Sequence, residues 1–267
     1  LALIDGLISY WKADTDGSFL DAHASNDGTI TGATFQASGK INGCYQIATT
    51  GTVSNKISIP DTADFDITTT SDFTYNLWIY LDNVAAARAV IAKASSGTTP
   101  SFRFFCRTDE DFDLYFHDGT NVASTAASKP ITTGQWVMTT ITINRTSDIA
   151  SVYYDTVFQY SLDISTIGDM SNAEPLLFGN VSYTNDSLTG ELDEIGIWNR
   201  VLSGAELSSL YNSSSGFAYP FSSSPTNVGD LAKWCDVEDT SIANINGKTL
   251  GTGNDLKKFN DIDLTTV

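Results

Sequence analysis

The sequence is short of basic charge, cysteine, histidine and long apolar runs, and each shortage excludes something. Only 14 of 267 residues are Lys or Arg against 32 Asp or Glu, which gives a formal net charge of −18 and a sequence pI near 4.1. Phosphate recognition needs a basic footprint, so nucleic acid is excluded as a partner, and an anionic membrane surface is disfavoured on the same grounds. No apolar run approaches the roughly 18–20 residues that a membrane-spanning helix requires. The three cysteines, Cys44, Cys106 and Cys235, are too few and too scattered for a disulfide framework, and no pair has zinc-ligand spacing. They leave open a single Cys44–Cys106 bridge or buried free thiols. With only His23 and His117, a histidine-rich metal centre is excluded. The sequence begins at Leu1, so the lack of a leader segment there says nothing about targeting.

What is abundant is hydroxyl and aromatic side chain. The chain has 33 Thr and 29 Ser, and 41% of it is apolar and 11% aromatic. That composition belongs neither to a disordered chain nor to a coiled coil. The length predicts one large domain, or one and a half, with a sizeable core.

Alternation with period two dominates. Phe73, Tyr75, Leu77 and Ile79 alternate with Thr74, Asn76, Trp78 and Tyr80, which predicts a strand with two unlike faces. The same pattern predicts strands over 7–11, 56–59, 101–107, 112–116, 135–143, 151–155, 157–160, 175–179 and 191–198. Turn formers such as Asn26-Asp27-Gly28 and Asp118-Gly119 punctuate them. Many short strands without alternating helices indicate an all-β antiparallel sandwich.

One helix is the exception. Ser203-Gly204-Ala205-Glu206 is a capping box, in which Ser and Glu side chains satisfy each other's backbone N–H groups. Leu207, Leu210 and Tyr211 follow at helical spacing, so a short helix over 203–212 should pack on the sandwich. Residues 213–226 are then Ser-rich with two prolines, the make-up of a linker, and residues 227–267 are few for an independent core. The expected division is a sandwich over 1–215 and an extended C-terminal assembly arm over 216–267. Short apolar clusters at Trp234, Ile242–Ile245 and Phe259–Ile262 suit an arm ordered by a neighbouring subunit, in a homo-oligomer or a larger particle.

Four segments occur in a telling order. Leu7-Ile8-Ser9-Tyr10-Trp11 is followed by Asp14, Asp21 and Asn26-Asp27-Gly28-Thr29, then by Phe73–Ile79, then by Gly134-Gln135-Trp136 leading an alternating run. The last is Gly190-Glu191-Leu192-Asp193-Glu194-Ile195-Gly196-Ile197-Trp198-Asn199-Arg200, with Val201-Leu202-Ser203 and the capped helix behind it. Over roughly residues 5–212 they resemble the laminin-G-like members of the concanavalin A-like lectin/glucanase superfamily. The resemblance implies a two-sheet antiparallel jelly roll whose first and last strands are adjacent. It also implies a carbohydrate binder, adhesion module or accessory domain, a choice that fold alone does not make. The chain departs from the family after the loop aspartate, where Ala22-His23-Ala24-Ser25-Asn26 replaces the usual Ser-Gly-Asn run.

Glu191, Asp193 and Glu194 are the carboxylates placed for glycosidic hydrolysis. The retaining β-glucanases of the superfamily carry Glu-x-Asp-x-x-Glu on one strand. Here Glu191 and Asp193 match but the third position is Gly196, so the acid/base partner is missing and no enzyme is expected. A cation suits the segment better. Asp193 shares the parity of Ile195 and Ile197, which puts it on the apolar side, and a buried carboxylate demands compensation. The implied adjacency of the first and last strands makes Asp14, Asp21, Asn26 and Asp193 the expected oxygen ligands of Ca²⁺. The alternative is that Asp193 accepts backbone hydrogen bonds at a turn and binds no metal.

Other candidates read more plainly. Asp109-Glu110-Asp111-Phe112-Asp113 lacks the glycine and the closing glutamate of a calcium loop and reads as a solvated hairpin tip. His117 reads as a surface histidine at a strand edge. Trp78, Tyr80, Tyr115, Trp136 and Trp198 are either a sugar-stacking surface or core. Sequons at Asn144, Asn180, Asn185 and Asn212 are expected by chance in so Ser- and Thr-rich a chain.

The expected function is a non-catalytic, lectin-like module, extracellular or on a virion surface, that binds a glycan or adheres. Ile242-Ala243-Asn244-Ile245-Asn246-Gly247, after Trp234, resembles short motifs of tailed-phage structural proteins and favours a decoration, fibre or tail component. The alternatives are a secreted bacterial adhesin and the carbohydrate-binding portion of a larger glycan-active enzyme.

Overall fold

The computed structural model describes residues 2–48, 55–82, 88–94, 101–107, 112–125, 130–181 and 187–221, with two short strand pairs beyond them. It divides into a compact unit over Leu1–Phe221 and a second over Ser222–Val267. No helix among the described residues is long and apolar enough to cross a membrane.

The first unit opens with β1 (Leu7–Trp11), β2 (Thr29–Thr31), β3 (Thr34–Gln36), β4 (Cys44–Ile47), β5 (Lys56–Ile59), β6 (Phe73–Leu81) and β7 (Arg88–Lys93). It continues with β8 (Ser101–Cys106), β9 (Phe112–His117), β10 (Val122–Ser124), β11 (Trp136–Asn144), β12 (Ile149–Tyr154), β13 (Val157–Asp163), β14 (Leu176–Phe178) and β15 (Gly190–Trp198). Helix α1 (Gly204–Tyr211) closes the series. An eight-stranded sheet runs β13-β12-β11-β6-β15-β4-β3, with β1 also on β15, and a seven-stranded sheet runs β10-β9-β8-β7-β14-β5-β2. All their pairings are antiparallel, as a jelly roll requires.

Alternate residues of the two sheets meet in one core. Tyr75, Leu77 and Ile79 of β6 and Leu192, Ile195 and Ile197 of β15 face Ile57, Ile59, Phe102, Phe104 and Leu114 across it. Thr74, Asn76, Trp78 and Tyr80 take the opposite face, as the alternation predicts. Cys44 and Cys106 are both buried and not joined by a disulfide, which decides against the bridge, and Cys235 lies outside the described residues.

Part of the outer face of the eight-stranded sheet is also buried. Leu207 and Leu210 of α1 join Leu3, Leu7, Tyr10, Trp78, Met138 and Trp198 in a second apolar cluster. The capping box is present: Ser203 Oγ accepts from Glu206 N, and Ser203 N donates to Glu206 Oε2 at 2.8 Å. Arg200 donates twice to Glu206, at 3.0 and 2.7 Å, and holds that carboxyl at about 2, well below its usual range.

The compact unit runs past 215. Tyr219 stacks on Tyr10 with centroids 5.6 Å apart, while Phe221 meets Tyr10 edge-on at 5.1 Å and stacks on Trp198 at 6.2 Å. Residues 216–221 therefore belong to the sandwich, because their aromatics cover it; the surrounding serines and prolines mask that role in the sequence. Of the expected arm, the second unit contains Asn244–Ile245 paired with Lys248–Thr249 and Lys258–Phe259 paired with Ile262–Asp263. Trp234 lies outside the described residues.

A chain ending at Ser215 is expected to be less stable than one ending at Phe221. Uncovering Tyr10 and Trp198 and losing three aromatics should cost on the order of 2–4 kcal/mol. Calorimetry giving the two truncations the same melting temperature contradicts this assignment.

Candidate functional site

β15 is irregular where its carboxylates stand. Asp193 pairs with Trp78 and Gly196 with Asn76, so Glu194 and Ile195 together oppose the single Leu77. Glu194 takes a left-handed backbone conformation there, φ +48. The extra residue overturns the parity expected from the sequence. Asp193 lies on the face of Trp78, away from Ile195 and Ile197, yet it is fully buried and Glu194 is 1% exposed.

These two acids and Asp14 form one electrostatic cluster. Asp193 Oδ2 accepts from Ile41 N at 2.9 Å and Oδ1 from Glu194 N at 2.8 Å. Glu194 Oε2 accepts from the Tyr10 hydroxyl at 2.5 Å, while its Oε1 is buried with no hydrogen-bond partner among the described residues. Asp14 is held at its rim by Gly43 N at 3.1 Å and Asn42 Nδ2 at 3.2 Å. Burial pushes the Asp193 carboxyl up to about 9; the Ile41 N–H opposes this, and Glu194 and Asp14 add to it by repulsion. Burial also raises Glu194 to about 7, against the Tyr10 hydrogen bond.

Asp21 and Asn26 stand apart from that cluster, in a loop they organise themselves. Asp21 Oδ1 accepts from the backbone N–H groups of Tyr10, His23 and Ala24, each at 3.0 Å, and Oδ2 accepts from Asn26 N at 3.1 Å. The Asn26 side chain donates to Ser9 Oγ at 2.7 Å, and the Asn26 backbone carbonyl accepts from Trp11 Nε1 at 2.8 Å. The four expected ligands thus fall into two groups. Asp14 and Asp193 share the electrostatic cluster and also accept hydrogen bonds from N–H groups, whereas Asp21 and Asn26 hold their own loop. Among the described residues, no three His, Cys, Asp or Glu side chains form a metal-holding group.

The glucanase geometry is closed off sterically. A Cβ at Gly196 would stand 2.5 Å from Trp198 Cη2 and 2.9 Å from Tyr10 Cδ2, so no glutamate fits the third position. His117 is not a surface residue: it is buried, its Nδ1 accepts from Gly119 N at 2.9 Å, and its ring lies parallel to that of Tyr115. Asp113 is a buried strand residue ion-paired with Arg107 at 3.0 Å, while residues 109–111 lie outside the described ones.

The five aromatic candidates divide. Trp78 and Trp198 are core, beneath α1 and residues 216–221. Tyr80, Tyr115 and Trp136 are half-buried. Arg103 covers the Tyr115 ring at 3.8 Å, and Tyr80 meets Trp136 edge-on at 5.8 Å. Next to Tyr80 on the same face stand Glu191 and then Gln46, which sequence reading missed because β4 is only four residues long.

An antiparallel two-sheet sandwich with a capped helix on one outer face defines the concanavalin A-like class of jelly rolls. The chain belongs to the concanavalin A-like lectin/glucanases superfamily, whose family model matches residues 50–208. No curated protein matches it in sequence. Among solved structures it is similar to the binding domain of Paraclostridial Mosquitocidal Protein 1, at 17% identity and TM-score 0.66, covering 79% of this chain and 53% of that one. It is similar to the botulinum neurotoxin serotype G binding domain, at 15% identity and TM-score 0.62, over 78% of this chain and 51% of that one. A third is domain 4 of AbnA, a GH43 extracellular arabinanase from Geobacillus stearothermophilus, in complex with arabinotriose. There the identity is 16% and the TM-score 0.59, over 76% of this chain and 96% of that one. The chain thus spans about half the length of the toxin domains and nearly all of the arabinanase domain.

The raised Asp193 carboxyl has a thermodynamic consequence. Its folded value, about 9, exceeds the ordinary 3.8, so the contribution is fully present below pH 4 and is lost as pH rises through 9. In chelator-containing buffer, the melting temperature should fall across that window, and Asp193→Asn should flatten the fall. Parallel pH curves for the two proteins contradict the assignment.

Proposed function

We propose that this chain is a non-catalytic glycan-binding module. The observation that carries the reading is the state of β15: its match to a glucanase strand ends at Gly196, where only glycine fits, and Asp193 and Glu194 are buried out of reach of substrate. Half-exposed aromatic and polar side chains remain beside them on the outer face. The fold neighbours support the reading, since they are toxin binding domains and an arabinanase domain solved with arabinotriose. Strong acidity and an abundance of Thr suit an exposed, extracellular role, on a virion or as part of a secreted adhesin or enzyme. Assembly through the C-terminal segment into a homo-oligomer or particle belongs to the same reading.

Calcium is a second way to neutralise Asp193, and the observation that favours it is Glu194 Oε1, which has no hydrogen-bond partner among the described residues. Asp14 and Asp193 would supply carboxylate oxygens to the ion, whose charge would let the buried carboxylates ionise. Adding calcium to the chelated protein at pH 8 should then raise the melting temperature, in the wild type but not in Asp193→Asn. An unchanged melting curve rejects the ion.

A glycan array probed with the full chain, run beside a reducing-sugar assay on the same polymers, tests the main reading. Binding without release of reducing ends is expected. Hydrolysis, or no binding to any glycan, overturns it.

A further inference from the structure

The cover over the eight-stranded sheet ends between two neighbouring rows of side chains. The row Asp193–Trp78–Met138 is buried under it. The next row stays half-exposed. In it Gln46 of β4, Glu191 of β15, Tyr80 of β6 and Trp136 of β11 stand directly opposite one another across four adjacent strands. Two hydrogen-bonding termini thus lie beside two aromatic rings on one face. Trp136 begins its strand before β12 pairs with it, which happens first at Thr139, so among the described residues no strand pairs with Trp136 on that side.

We propose that this row is the subsite for a linear, uncharged glycan chain lying across the strands. It rests on the glycan-binding reading and adds the residues and the sugar class. Trp136 and Tyr80 supply apolar faces for the C–H faces of sugar rings, and Glu191 and Gln46 accept and donate hydrogen bonds to hydroxyls. Strand spacing makes the row roughly 14 Å long, the length of a short oligosaccharide. Gln36 Nε2 donates to Gln46 Oε1 at 3.3 Å and steadies that amide at the row's end.

Charge selects the sugar class. Glu191 stands within the row between Gln46 and Tyr80, and the chain carries −18 overall. A uronic or sialic acid would be repelled here, whereas a neutral hydroxyl gives Glu191 a charge-assisted hydrogen bond.

The test is calorimetric titration of the full chain with arabinan, galactan and a soluble β-glucan as neutral probes and polygalacturonate as the anionic one. The wild type should bind a neutral polymer and not polygalacturonate. Trp136→Ala and Tyr80→Ala should each lose about tenfold or more in affinity. Because both rings touch packed neighbours, Gln46→Ala and Glu191→Ala serve as variants on half-exposed polar positions, with melting curves as the check on folding, and each should weaken binding several-fold. If all four variants bind as the wild type does, the row is wrong while the glycan-binding reading stands. Preference for polygalacturonate overturns the sugar class, and a wild type that binds no polymer overturns both.

Discussion

The first unit depends on β15 being held from both sides. β6 pairs with it along one edge; along the other, β4 takes Gly190–Leu192 and β1 takes Ile195–Trp198. Its inward residues Leu192, Ile195 and Ile197 are core, and its last residue, Trp198, anchors the outer cluster. The indole of Trp198 donates to Leu3 O at 2.7 Å, which ties the chain's start to the last strand. The bulge is what lets one strand serve both layers. By inserting one residue it sends Asp193 and Glu194 away from the core, at the expense of a strained Glu194 and buried acids that must stay protonated or be neutralised.

That arrangement divides the outer face in two. Towards Trp198 the sheet is capped by α1 and the aromatics of 216–221, and behaves as interior. Towards Glu191 it is left half-open, with rings and hydrogen-bonding groups at strand spacing. A hydrolase of this fold needs carboxylates reachable on the strand. Here the same strand places Asp193 and Glu194 under the cap and leaves Glu191 half-exposed.

Much of this was legible in the sequence where a local signal was strong. The alternation of β6, the capping box at Ser203 and the Gly190–Arg200 segment each specify their element. β7 was not legible: Arg-Ala-Val-Ile-Ala-Lys has no alternation and consists largely of good helix formers, and it becomes a strand because β8 and β14 flank it. β2, β3 and β10 are three residues each, too short to carry a period. The facing of Asp193 was misread because a bulge centred on a non-glycine residue leaves no mark in the sequence. Asp21 and Asn26 were singled out as calcium ligands, but acidic loop residues can satisfy backbone N–H groups as well as metals, as Asp21 does here. Tyr80 and Trp136 were among the aromatics named from sequence; their polar neighbours Gln46 and Glu191 come together only through strand pairing.

The central claim is that the outer face is sealed at one end and available to ligand at the other. Fluorine NMR of the chain labelled with 5-fluorotryptophan tests it most directly, since Trp11, Trp78 and Trp198 are fully or almost fully buried and Trp136 is half-buried. With resonances assigned by Trp→Phe variants, a bound neutral glycan should shift the Trp136 signal and leave those of Trp11, Trp78 and Trp198 in place. A glycan that shifts Trp78 or Trp198 while Trp136 stays unmoved contradicts the account.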